Sequence, residues 1–319
     1  MKRWLGVLLL CGASLAWARP NNGAEAARVL DQFFSGTMPL NAAINRVQFL
    51  GEERFVSGEL IQALRRASGR TRGPLLEFLV ALAVPDSEVE RVFLHALASE
   101  DLGEVMTGAR GLGRIRSEAG VKPLIALLPS PLLGVRREAA RALGEIKKPA
   151  ASAPLLKAAK VEADLDLKVL MIVAAGKAGD KKQTSALEVL LKDESESTRL
   201  ASAQALCSLG APKCVQFAAT LLASKDRNER FQGVMLFEGA SAKVSGATLT
   251  PLLKDPDDKL RARAARILVQ GGDKKGLEWL VIESAKGKGE VRLVYEDELE
   301  KLRVTDEQRQ AILKKAGLQ

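Results

Sequence analysis

Few residues in this chain could do chemistry, and their types set narrow limits. The one histidine among 319 residues, His95, sits in Val92-Phe93-Leu94-His95-Ala96-Leu97. A single imidazole cannot build a histidine ligand cluster, and the Ser, Cys and Lys residues show no histidine partner in the sequence for nucleophilic work. It is read as a partly exposed helix position. Gly103, Gly108, Gly111 and Gly113 lack the spacing of a phosphate-cradling loop. They fall within a predicted helix, where they indicate weak or close packing. The acid pairs Asp257-Asp258 and Glu298/Glu300 fall in turns or on polar helix faces and are read as solvated. No catalytic residue, metal ligand or cofactor is assigned, and no small-molecule substrate is evident.

Two other constellations carry chemical meaning. Cys207 and Cys214 bracket a short segment, Ser208 to Lys213, and are either a disulfide or two free thiols on adjacent helix ends. A bridge needs Cα atoms within about 7 Å. The segment Arg65-Arg66-Ala67-Ser68-Gly69-Arg70-Thr71-Arg72 holds four Arg in eight residues and no acid. Arg65, Arg66, Arg70 and Arg72 are candidate contacts for an anionic surface, though no aromatic residue interleaves to stack on bases.

The first residues read as an export signal. Lys2 and Arg3 form a basic start, Trp4 to Leu10 an apolar core, and Ala16-Trp17-Ala18 a small-x-small cleavage site before Arg19. Cys11 follows Leu10, not the small residue that a lipid-attachment box prefers. The apolar run is shorter than the ~20 residues that span a bilayer, and no other stretch could do so. Losing residues 1–18 lowers the formal net charge from +9 to +7, mildly basic with acids interspersed. The signal implies a bacterial exported protein, periplasmic or extracellular, without a membrane span in its mature form.

The elements that must position these residues repeat. Leu97, Leu128, Ala159, Leu191, Leu222 and Leu253 recur at steps of 31 or 32 residues. Arg136, Lys168, Arg199, Arg230 and Arg261 share the period, and six residues before each stands Ser130, Glu162, Asp193, Ser224 or Asp255. Apolar residues within each unit follow helical spacing. The pattern predicts helices over 121–128 and 135–146, broken by Pro129-Ser130-Pro131, because proline cannot continue a helix. It predicts further pairs over 186–191 and 199–209, 215–222 and 230–240, and 249–253 and 261–269. The basic column starts each second helix and is expected to pair along the stack and between turns. Thr305 and Gln308 read as a capping box, with Lys314-Lys315 in that helix's last turn.

Pro123-Leu124-Ile125-Ala126-Leu127-Leu128 followed by Val135-Arg136-Arg137-Glu138-Ala139-Ala140-Arg141-Ala142-Leu143-Gly144 resembles the short HEAT repeats of phycobilisome-lyase-like proteins. Arg261-Ala262-Arg263-Ala264-Ala265-Arg266-Ile267-Leu268 repeats the wording. The resemblance is clear over 86–272, with 55–85 as a degenerate unit. It implies an all-α fold, a right-handed α-solenoid of antiparallel helix pairs. The expected organisation is a signal at 1–18, a helical cap at 19–54, the repeat array at 55–272 and a second cap at 273–319. Some HEAT proteins are enzymes: deoxyhypusine hydroxylase holds iron through His-Glu pairs, which are absent here. The lyase relatives act on bilin pigments inside cells, a setting that an export signal argues against.

In a HEAT solenoid the second helix of each pair lines the concave surface. With Ala139 at the centre of the core face, positions 137 and 141 point away from the core at 100° per residue. The equivalent pairs are Met106 and Arg110, Val169 and Val173, Leu200 and Gln204, Phe231 and Met235, and Ala262 and Arg266. Val169, Val173, Leu200, Phe231 and Met235 are expected to floor a groove, with Arg137, Arg141 and Arg266 at its rim. Contiguous exposed apolar area marks binding sites. The sequence therefore points to a non-catalytic extracytoplasmic scaffold that binds a protein or peptide. The alternative is a polyanion- or envelope-surface-binding module using the Arg-rich turn.

Overall fold

Alanine- and leucine-rich helical periodicity becomes helix throughout this computed structural model, which describes residues 22–238 and 246–318 without the Arg70 side chain. The leader read at 1–18, with Cys11 and the start at Arg19, lies outside the described residues. The helices are α1 (Asn22–Phe34), α2 (Leu40–Leu50), α3 (Glu53–Arg66), α4 (Arg72–Leu82), α5 (Ser87–Ala96) and α6 (Leu102–Arg114). Then come α7 (Val121–Leu127), α8 (Leu133–Ile146), α9 (Ser152–Val161), α10 (Leu165–Ala178), α11 (Thr184–Leu190), α12 (Glu196–Leu209) and α13 (Pro212–Leu222). The chain continues through α14 (Arg227–Met235), α15 (Gly246–Leu249), α16 (Asp258–Gln270), α17 (Lys274–Lys286), α18 (Gly289–Lys301) and α19 (Asp306–Lys315). It divides into two compact units, one of residues 1–124 with 132–142 and one of 125–131 with 143–319.

In the first unit α3 packs on α4, α5 on α6, and α4 on α6. Leu60, Leu76, Phe78, Phe93 and Leu112 are fully buried there. The glycines of α6 mark close packing. A Cβ on Gly111 would stand 2.6 Å from the Phe93 ring, and one on Gly108 would stand 2.8 Å from the Phe93 carbonyl oxygen. Ion pairs one repeat apart tie α4 to α6: Arg110 Nη1 lies 2.9 Å from Glu77 Oε2, and Arg72 Nε lies 2.7 Å from Glu104 Oε1.

In the second unit α10 packs on α9 and α12, and α16 on α17 and α18. Its buried side chains include Leu155, Leu167, Met171, Leu206, Leu260 and Tyr295. The observed second helices begin earlier than their apolar pattern does, for a local reason. Asp164, Ser195, Asp226 and Asp257 each cap a helix, the side-chain oxygen accepting from a backbone N–H of its first turn. Two residues before each cap, Glu162, Asp193, Ser224 and Asp255 accept the cap residue's own N–H at 2.9–3.1 Å. The polar column of the sequence is thus a loop-closing column. Pro251 directs 250–254 into a 3-10 helix, and α14 ends at Met235 instead of continuing to 240. At the C-terminus Thr305 and Gln308 form the expected capping box on α19.

Candidate interaction surfaces

The basic column pairs as its periodicity suggests. Arg199 Nη1 donates to the Asp193 carbonyl at 2.9 Å, Arg230 Nη1 to Ser224 at 3.2 Å, and Arg261 Nη1 to Asp255 at 2.6 Å. Each therefore binds the carbonyl six residues back. The same column also reaches forward to the next repeat. Lys168 Nζ lies 3.3 Å from Asp193 Oδ2, and Arg230 holds both oxygens of Asp255, at 2.7 and 3.2 Å. These contacts leave their mark on titration. The Ser195 N–H, followed by Lys168, holds the Asp193 carboxyl below its usual range despite burial, and Asp255 raises the Arg230 guanidinium. These cations serve the stack and are not open to a ligand.

The structure joins Cys207 to Cys214 in a disulfide, their Cα atoms 5.1 Å apart. Gly210 supplies the left-handed turn (φ 72°) that closes α12, and Pro212 opens α13. The bridge therefore staples a two-helix corner, with both sulfur-bearing residues buried.

The groove residues occupy corresponding positions on α10, α12 and α14. Val169, Val173, Leu200 and Phe231 are half-buried, and Met235 is exposed. Gln232 Nε2 on α14 donates to Glu196 Oε1 on α12 at 3.2 Å. The Arg263 guanidinium lies 4.9 Å from the centre of the Phe231 ring, and its Nη1 is 3.0 Å from Met235 Sδ. The sequence columns did not include Arg263. It partly shields this end of the row by stacking on the aromatic face.

The expected rim residues fare differently. Arg266 pairs with Glu238 and with Glu298, and its side chain is only 12% exposed. It is a structural cation inside the unit, not an open rim group. Glu298, read from the sequence as solvated, is buried because Arg266 and Lys301 hold it. Arg137 and Arg141 belong to the first unit. Arg141 is exposed, with its Nη1 2.9 Å from Glu138 Oε1, and Arg137 is half-buried.

The Arg-rich segment also divides. Arg65 and Arg66 close α3 and are exposed. Arg72 opens α4 and is committed to Glu104 and to the Leu64 carbonyl. His95 is exposed in the last turn of α5. One feature escaped the sequence columns. An apolar pocket of about 600 Å³ in the second unit is lined by Ile125, Leu128, Pro154, Ala158 and Val161, the last 85% exposed. It involves α9, a first helix, whereas the columns were read only on second helices. Among the described residues no group of His, Cys, Asp or Glu could hold a metal ion, and no helix is long and apolar enough to cross a membrane.

Residues 93–169 match the family of HEAT repeats. The complex of CpcE and CpcF of phycocyanin lyase from Nostoc sp. PCC7120 has a similar fold, with a TM-score of 0.52 at 18% identity over 70% of this chain and 92% of that one. An engineered protein aligns over 78% of this chain and 96% of its own at 22% identity, with a TM-score of only 0.29. No curated protein matches at significant similarity. Helix pairs, repeat period and structural likeness together define an α-solenoid protein. Its helix pairs are similar to HEAT repeats, with the family match confined to residues 93–169.

Proposed function

We propose that the chain is a non-catalytic scaffold, exported to an oxidising compartment, that binds a protein or peptide along its row of second helices. The observation that carries this reading is the row Val169, Val173, Leu200, Phe231 and Met235. These apolar side chains keep part of their surface open on successive second helices of one unit, where a soluble protein ordinarily places polar groups. Partners of α-solenoids bind across several repeats in this way. Export rests on the sequence of residues 1–18. The Cys207–Cys214 bridge supports it, since disulfides persist where thiols are not kept reduced. The phycocyanin lyase likeness is one of fold, and the bilin chemistry of that enzyme is not carried over.

The test is crosslinking capture by the mature protein, comparing wild type with Leu200→Asp and Phe231→Asp. Loss of one captured protein, with helicity unchanged, is expected. The second reading, contact with an anionic envelope surface, is favoured by exposed Arg65 and Arg66. Neither is paired with an acid among the described residues. Salt-sensitive binding to acidic polymers, lost on charge reversal at Arg65 and Arg66, would establish it.

A further inference from the structure

The lone histidine and the Arg-rich segment meet in one place. An open pocket of about 350 Å³ in the first unit lies between the end of α3, the start of α4 and one face of α5. Its apolar lining comes from Ile61, Leu64 and Val92. Its charged lining comes from Arg65, Arg72, Arg91 and Glu88, and His95 also lines it. Arg72 is neutralised by Glu104, outside the pocket lining. Glu88 is turned onto Arg91, 3.3 Å away, in a pair exposed enough to exchange for a better partner. Arg65 makes only a long contact, 3.4 Å, to the neutral Gln62. Three donor-bearing side chains from two helices thus line one pocket together with apolar residues. Their only acid competitor within the lining is Glu88.

We infer that this pocket binds a phosphate monoester, with its oxygens on Arg65, Arg91 and His95 and its organic group against Ile61, Leu64 and Val92. Two guanidiniums match the oxygen geometry of phosphate better than a point charge would, because the fork donates paired N–H groups. A dianion gains from both Arg residues at once. The volume lies at the lower end of the range for small-ligand sites. This deepens the anionic-surface reading by replacing a diffuse charge contact with a shaped site. It is independent of the row on the second helices.

Calorimetric titration of the full-length protein with phenyl phosphate tests it, in parallel with inorganic phosphate, glycerol phosphate and vesicles of phosphatidylcholine with and without phosphatidic acid. Saturable binding of phenyl phosphate is expected, weakened about tenfold by Arg91→Ala and by His95→Ala. Arg66→Ala serves as the control, because Arg66 neighbours the site but does not line it, and it should leave that binding unchanged. Binding of the soluble esters alone identifies a soluble ligand, whereas stronger binding to phosphatidic acid vesicles identifies a lipid headgroup. Both outcomes uphold the site. If phenyl phosphate fails to bind, or binds equally to Arg91→Ala and His95→Ala proteins of unchanged helicity, the site is overturned. Acidic polymers binding in that case, with Arg66→Ala weakening them, would leave the broader anionic-surface reading standing alone.

Discussion

Arg266 shows how a single side chain can sit at a groove position in the sequence and yet do something else in the fold. Its guanidinium lies between Glu238 and Glu298, which is 5% exposed. Removing one partner of a buried pair leaves an uncompensated charge, and Lys301 alone cannot replace the fork. Arg266→Ala should cost about 3 kcal/mol in urea unfolding while leaving partner capture intact once the protein is folded. Asp193 yields a pH prediction. The Ser195 N–H and Lys168 lower its folded-state pKa, so its contribution is complete above the ordinary carboxylate value near about 4 and is lost as pH falls through the lowered one. Asp193→Asn should therefore destabilise the protein at neutral pH and make much less difference at strongly acidic pH. An equal penalty at both would show that the charge is not what matters.

At the scale of the helix, close approach and corners decide. A Cβ on Gly176 would overlap the Ala205 Cα and stand 2.5 Å from its Cβ, where α10 meets α12. Gly176→Ala should separate these helices and cost about 2 kcal/mol, against the gain in helix propensity that an open position would show. Thermal or urea unfolding decides the sign. The Cys207–Cys214 bridge closes a short loop, with a sequence separation of 7. Chain entropy alone assigns it about 2.5 kcal/mol. The Cys207→Ser, Cys214→Ser protein should lose roughly that, and reductant should then have no further effect. The helix pairs were legible because the 31-residue step repeats apolar, basic and polar residues together. The caps at Asp164, Ser195, Asp226 and Asp257 share that step but stand two residues beyond the polar column, so one polar residue per turn does not reveal them. The ion pairs were harder to see. Arg72 with Glu104 and Arg266 with Glu298 each lie 32 residues apart, one repeat on, so only a search at the repeat spacing finds them. Arg263 stacking on Phe231 depends on side-chain direction, which no column of residue types records.

For the molecule as a whole, the division into two units bears on what the proposed row can be. Val169 through Met235 lies wholly within the second unit, whereas Arg137 and Arg141 lie in the first. The partner surface proposed here is therefore carried by α10, α12 and α14 alone. The apolar pocket beside α9 is a separate surface that the repeat columns did not reveal. The helix-pair architecture was readable because stacking helix pairs imposes its period on every repeat. A binding surface imposes none, since it is made of positions that the fold leaves free to vary. The decisive measurement is crosslinking capture with wild type beside Leu200→Asp and Phe231→Asp. Wild type should retain one protein at high salt, and both variants, with circular dichroism unchanged, should lose it. Equal retention by all three proteins would contradict it.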